Sequence, residues 1–380
     1  MSKLSFLENY RRIIEHNTIS SVESGMDESN HALCCYISNI FEQAGFSISI
    51  HKVPGTRNKY NFLAQVGHGA GGLLLSGHTD TVPCDEHLWT SSPFALTEKN
   101  NRLYGLGSCD MKGFFAFIYE ALQTIPLNKL QKPLYILGTA DEETSMAGAR
   151  FFMQQKLIKP DVAIIGEPTE LKPIYKHKGH MAHSLKIRGE SGHSSDPKRG
   201  VNAIEIMHEA IQQLIRLKQS LLSNQDTQFS VPETTMNFGH IHGGDGENRI
   251  CGHCQLNFDV RPVPGLNDEQ VISRIDEALA PLKLQYPDRI ERSLMYPTVS
   301  SFASRNEYRL LDIAEELLGA KPQIANYCTE APFINQLGCD TLILGPGSIQ
   351  QAHQPDEFMA LDYINPTVQL LQGLIKKYCF

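Results

Sequence analysis

Seven side chains of types that bind metals or move protons stand out by their position in this sequence, and most of them follow the same kind of segment. The apolar run Leu73-Leu74-Leu75 leads through Ser76 and Gly77 to His78, with Asp80 two residues on. Pro133-Leu134-Tyr135-Ile136-Leu137 leads to Asp141-Glu142-Glu143, and Val162-Ala163-Ile164-Ile165-Gly166 leads to Glu167-Pro168. Asp110 stands in the glycine-flanked loop Gly107-Ser108-Cys109-Asp110-Met111-Lys112-Gly113, ahead of an apolar helix-like run, and is read as accessible there. His353 lies in the polar stretch Gln351-Ala352-His353-Gln354-Pro355-Asp356-Glu357. Two imidazoles with several carboxylates, and no thiolate, form a donor set suited to zinc or a similar divalent ion. If one carboxylate bridges two ions, the other four donors give each ion two more, which leaves room for water. An open position of that kind separates a catalytic centre from a structural one. One acid of the Glu142-Glu143 pair is then left over to take a proton.

The elements that must present these residues follow from the same runs. Apolar segments of strand length alternating with helical patterns predict an α/β fold, whose sites form at the carboxyl ends of its strands. Ser5-x-x-Glu8 reads as a capping box opening a first helix, and a second helix ends at Gly45. Phe46, Ile48 and Ile50 alternate with polar residues in a half-buried strand, and a further strand spans Tyr60–Val66. Gly67-His68-Gly69-Ala70-Gly71-Gly72 matches G-x-G-x-x-G in form. A dinucleotide site needs a helix after those glycines, and Leu73-Leu74-Leu75 is strand-like, so the segment is predicted to be a hairpin turn.

Beyond residue 180 the pattern changes to strand, helix, strand, strand, helix, strand. The segments are 181–188, 201–221, 234–242, 249–261, 267–279 and 289–295. That is the order of a split βαβ sandwich. It predicts a domain over 180–294 inserted into a catalytic domain made of 1–179 and 295–380.

The chain carries 34 basic and 42 acidic residues, a net charge of −8, with no basic cluster able to track a phosphate backbone. Nucleic acid and anionic membrane surfaces are therefore not expected partners. No apolar run reaches the ~20 residues that span a bilayer. Nine scattered cysteines fit a reducing compartment better than a disulfide framework, so a cytoplasmic location is expected. Cys251-x-x-Cys254 has no answering pair and is read as structural.

His78-Thr79-Asp80-Thr81-Val82-Pro83, Gly107 to Gly113, Asp141-Glu142-Glu143, Gly166-Glu167-Pro168 and Gly192-His193-Ser194-Ser195 resemble, in order, the motifs of the dinuclear zinc exopeptidase and deacylase family. Val53-Pro54-Gly55-Thr56-Arg57-Asn58-Lys59, Asn326-Tyr327-Cys328-Thr329-Glu330-Ala331-Pro332-Phe333 and Gly345-Pro346-Gly347-Ser348 bring the resemblance nearest to its bacterial deacetylases. The resemblance implies a zinc-exopeptidase-like catalytic domain with a mostly parallel central sheet, and an inserted ferredoxin-like domain serving as lid and dimer interface. It implies two divalent ions, zinc first, with cobalt or manganese suited to the same donors. His78 and Glu167 would hold one ion, Glu143 and His353 the other, and Asp110 would bridge them.

Asp80 would orient His78, Glu142 would be the general base, and the Asp110–Met111 peptide would be cis. His193 would reach the oxyanion from the partner subunit of a homodimer. Arg261 would pair with a substrate α-carboxylate, and Asn248 would contribute across the dimer. Glu330 is the candidate for a substrate side-chain ammonium. The substrate would be a small N-acetyl amino acid, with aminoacylase or desuccinylase activity as alternatives. A metal-binding relative without catalysis is disfavoured, because binding alone has no use for Glu142.

Overall fold

The structure, a computed structural model, describes residues 5–380. Ser5 accepts the Glu8 N–H at 3.3 Å and opens helix α1 (Phe6–Ile14), whose Tyr10, Ile13 and Ile14 are buried. Helix α2 (His31–Gln43) follows, then strands β1 (Ser47–Lys52), β2 (Tyr60–Val66) and β3 (Leu73–His78). Short strands β4 (Thr97–Lys99) and β5 (Arg102–Tyr104) precede helix α3 (Phe114–Leu122). Next come β6 (Leu134–Thr139), α4 (Ala147–Gln155), β7 (Val162–Pro168) and β8 (Ile174–His177). The middle of the chain forms β9 (Met181–Arg188), α5 (Ala203–Leu221), β10 (Thr235–Gly243), β11 (His253–Arg261), α6 (Asp268–Gln285), β12 (Ile290–Leu294) and β13 (Phe302–Ala303). The last part supplies α7 (Leu310–Leu318), β14 (Gln323–Ala325), α8 (Ala331–Asn335), β15 (Asp340–Gly345), β16 (Phe358–Ala360) and α9 (Ile364–Cys379).

The chain divides into two compact units. One holds the residues up to Tyr175, Ser304–Gln323 and Glu330–Phe380; the other holds Lys176–Ala303 and Ile324–Thr329.

In the first unit the sheet runs β1-β2-β6-β3-β7-β15, with Ile174 of β8 against Ile343. The central strands β6, β3, β7 and β15 are parallel, and β1 and β2 are antiparallel at one edge. These strands are apolar throughout because helices cover them: Leu73, Leu75, Leu134, Ile136, Ile164 and Leu342 share one core with α1, α2, α3 and α9. The fold is thus α/β with a mostly parallel central sheet.

Two details depart from the sequence reading. The glycine-rich segment before β3 is not a hairpin, because β6 lies between β2 and β3. Its glycines let the chain cross the start of β6: at Gly72, φ is +83° and a Cβ would meet the Pro133 carbonyl oxygen at 1.9 Å. Asp110 is not open to solvent either; it is 7 % exposed.

The second unit has an antiparallel sheet in the order β10-β11-β9-β12, with α5 and α6 supplying its core. Its element order is that of a split βαβ sandwich. Cys254, Leu256, Phe258 and Val260 point inward from β11, alternating with more exposed residues. The ladder to β10 begins only at Cys254, four to five residues later than read from sequence, because Ile250 N–H bonds to the Gly192 carbonyl instead. Helix α6 continues past Leu279 because Leu282 keeps the buried stripe going. All nine cysteines are free, and the Cys251 thiol donates to the His253 carbonyl at 3.0 Å.

Candidate metal centre

Register decides where the polar residues meet. His78 pairs with Thr139, and β7 and β15 run parallel beside β3, so four strands end at the same level. β3 ends in His78, β6 passes through Ala140 and Asp141 to Glu142 and Glu143, β7 carries Glu167, and β15 leads into the loop bearing His353. This is the carboxyl edge of a parallel sheet, where an open α/β fold builds its sites.

Donor atoms of His78, Asp110 and Glu143 all lie within 4.8 Å of one another. His78 Nε2 is 3.2 Å from Asp110 Oδ1 and 4.0 Å from Glu167 Oε1. His353 Nε2 is 3.0 Å from Glu143 Oε2 and 3.7 Å from Asp110 Oδ2. Asp110 therefore stands between the two imidazoles, facing one with each oxygen. His353 holds its ring there from a left-handed backbone, φ 60°. The Asp110–Met111 peptide is cis.

The electrostatics are those of an acid cluster wanting a cation. Burial and the nearby charges of Glu167 and Glu143 push the Glu142 carboxyl well above its ordinary range, against the pull of His78. Burial and Asp110 do the same to Glu167. Burial would lower His78, but its hydrogen bond to Asp110 and the charges of Glu167 and Asp80 carry it well above its usual value. Asp110, despite its burial, is held below the usual carboxylate range by the two imidazoles. Among the described residues, the ion partners of Asp110, Glu143 and Glu167 are those imidazoles, with no lysine or arginine. Divalent cations answer both features, the nitrogen and oxygen donors and the clustered negative charge. The residues fit a metal pair.

Asp80 holds His78 through its main chain more closely than through its carboxylate. His78 Nδ1 donates to the Asp80 main-chain carbonyl at 2.9 Å, while the carboxylate stands 3.8 Å away. That bond fixes the ring and leaves Nε2 facing Asp110. The carboxylate, pushed up to about 6 chiefly by burial, accepts the N–H groups of Glu142 at 3.2 Å and Glu143 at 3.1 Å. Glu330 is wholly buried, accepts the Thr139 hydroxyl at 2.8 Å through Oε2 and, among the described residues, has no hydrogen-bond partner at Oε1. In this structure its carboxylate is a buried neighbour of the cluster, bonded to β6, and is not open to solvent.

The other three predicted residues lie in the second unit. His193 Nδ1 is 2.8 Å from Ser195 Oγ, and the residue bridges Arg249 by backbone pairing. The Asn248 carbonyl accepts the Ser194 N–H at 3.1 Å, so His193 and Asn248 occupy neighbouring loops. Arg261 ends β11, one-third exposed, with Nε on Asp259 at 2.9 Å.

Sequence reasoning quoted Glu357 without giving it a role. This buried carboxylate accepts three N–H groups of the Asp110 loop, those of Gly107 (2.9 Å), Cys109 (2.6 Å) and Asp110 (2.9 Å). Burial raises its pKa while the three donors pull the other way. The only signal for it was an acid close after His353.

Residues 74–377 match the profile of Peptidase family M20/M25/M40. A protein of Erwinia tasmaniensis named acetylornithine deacetylase is 52% identical over 376 residues, covering 99% of this chain and 98% of that one. A protein of the same name from Pectobacterium atrosepticum is 52% identical over 98% of each chain. Among solved structures, an M20 family metallo-carboxypeptidase from Sulfolobus solfataricus superposes with a TM-score of 0.76 at 18% identity, covering 99% of both chains. A dinuclear metal-binding M20 peptidase from Bacillus subtilis gives 0.67 at 16% identity, over 97% of this chain and 96% of that one. Profile, relatives and fold agree: the chain belongs to peptidase family M20/M25/M40.

Proposed function

We propose that this chain hydrolyses N2-acetyl-L-ornithine to L-ornithine and acetate, an amide hydrolysis in arginine biosynthesis. The observation that carries the substrate is the near-full-length likeness, at 52% identity, to proteins named acetylornithine deacetylase. The site geometry agrees, with a metal-type donor set beside a carboxylate that has no donor role of its own.

His78, Glu167, Glu143 and His353, with Asp110 between them, would hold two divalent ions, zinc first and cobalt as a substitute. When bound, the ions supply Lewis acidity toward the acetyl carbonyl and toward water. Glu142 takes the proton of the attacking water and returns it to the departing α-amine as the C–N bond breaks. Glu142 stands beside Glu143 on the turn that follows β6, within the cluster, where a water between the ions and its carboxylate would be in reach. His193 donates to the developing oxyanion, and Arg261 pairs with the α-carboxylate of the substrate.

The second unit is the proposed dimerisation and lid domain. Its edge strand β10 leaves one side of its backbone unpaired and exposes Ile241. Ile204, Met207, Ile211 and Ile241 line a groove of about 320 Å³ beside it. A second copy is the proposed occupant, placing Asn248 and His193 across the dimer. Nine free cysteines and the absence, among the described residues, of a helix long and apolar enough to cross a membrane accord with a cytoplasmic location.

An acetate-release assay on a panel of N-acyl amino acids, with and without chelator, tests the reading. Chelator-sensitive release, fastest from acetylornithine, is expected. A preference for N-acetyl neutral amino acids or for N-succinyl-diaminopimelate would overturn the substrate and keep the chemistry.

A further inference from the structure

The segment Thr56-Arg57-Asn58-Lys59 carries a lysine that the chemistry does not use. Lys59 is 1% exposed, although lysine is almost never buried without partners. Its ammonium contacts the Asp27 carboxylate at 2.7 Å, the Glu28 carbonyl at 2.7 Å, the Ile19 carbonyl at 3.2 Å and Asp141 Oδ1 at 3.4 Å. Two of these contacts, those to Asp141 and to the Ile19 carbonyl, lead toward the metal centre by different routes.

Asp141 immediately precedes Glu142 and Glu143 and holds a left-handed backbone, φ 59°. Its carboxylate also accepts the Ser20 hydroxyl at 2.8 Å, and that hydroxyl lies 2.9 Å from Thr144 Oγ1. Ile19 and Ser20 in turn sit against the end of β3, with Ser20 N–H on the Thr81 carbonyl at 2.8 Å. Asp80, one residue before Thr81, grips the N–H groups of Glu142 and Glu143. The connections close a ring: Lys59, Ile19, the β3 end, the Glu142–Glu143 turn, Asp141, and back to Lys59.

We propose that Lys59 is a positioning residue that sets the Glu142–Glu143 turn against the end of β3, acting through Asp141 and the Ile19 carbonyl. It touches neither metal nor substrate. The inference rests on the roles proposed above for Glu142 as base and Glu143 as ligand. A misplacement of the turn by about 1 Å is enough to cost about 100-fold in rate, and loss of an outer support typically costs about 10–100-fold in metal affinity.

The test uses Lys59→Met, which keeps the length of the side chain and removes its charge, and Asp141→Asn, which leaves Lys59 its other three partners. Zinc affinity is read by competition with a chromophoric chelator, and kcat and KM are read on acetylornithine. Each variant is scored per folded chain. Both are expected to lower kcat at least about 10-fold with KM within about threefold, and to weaken zinc about 10-fold. A merely structural lysine would lower the melting temperature and leave zinc affinity and kcat per folded chain within about twofold of the parent, which would overturn the inference. If Lys59→Met fails to fold, Asp141→Asn decides alone on the same two readouts. If the parent chain releases no acetate, the proposed function falls, and the zinc titration still decides the role of Lys59.

Discussion

The Asp80 carboxylate accepts the main-chain N–H of Glu143 at 3.1 Å, tying the end of one parallel strand to the turn that follows its neighbour. With the other oxygen on the Glu142 N–H, one buried acid sets the proposed base and a proposed ligand at once. Asp80→Ala leaves two N–H groups without acceptors. Zinc affinity is expected to fall about 10–100-fold, as for other outer supports of metal ligands. Chelator competition on the purified chain measures it.

Glu142→Gln removes the proposed proton acceptor while keeping size and polarity. Turnover is expected to drop about 10²–10⁴-fold. Zinc content, read by elemental analysis, is expected to stay at the parent value. A variant that still turns over at near-parent rate removes Glu142 from the mechanism.

Glu357→Gln puts an amide donor where two oxygens now meet three N–H groups. One buried donor then loses its acceptor, a cost of about 1–3 kcal/mol. Urea melts should show that loss, and because the affected loop carries Asp110, zinc should bind more weakly as well.

His177 supplies a pH dependence that involves no proposed metal ligand. Its ring is fully buried, hydrogen-bonded to the Lys178 carbonyl at 2.7 Å, and burial pulls its pKa down to about 4. The folded chain keeps it neutral, whereas the unfolded chain binds a proton below about pH 6.5. Stability is therefore whole above that pH and is lost as the pH falls toward 4, by up to about 3 kcal/mol. The urea midpoint of a His177→Phe variant should fall less steeply than the parent's over that window.

Glu330→Gln separates specificity from support. A residue in contact with the ornithine ammonium would matter more for acetylornithine than for an uncharged N-acetyl amino acid. Glu330 is wholly buried against Thr139, so equal fractional losses in kcat/KM on both substrates are expected. Steady-state kinetics on the two substrates distinguish the cases.

Apolar strands and the polar residues that end them were legible because both signals are local: Leu73 to His78 reads as strand and candidate ligand within six residues. The split βαβ order of the second unit was legible for the same reason. What was not legible depends on distant partners. Nothing between Tyr60 and Leu75 says that β6 will lie between those two strands, so the glycine-rich crossing passed for a hairpin. Asp80 was read as a partner of His78 by proximity along the chain, but its acceptors are turned to a turn sixty residues away. Glu330 shows the limit from the other side, since a charge in sequence carries no mark of whether it will be sealed.

The grip of Glu357 on the Gly107–Asp110 loop spans 247 residues between Asp110 and its clasp. During synthesis, the loop that presents Asp110 is made long before the acid that holds it. A nascent or C-terminally truncated chain can complete the core strands and still lack the grip that fixes Asp110. Order in the loop that presents Asp110 therefore waits on an acid made 247 positions later.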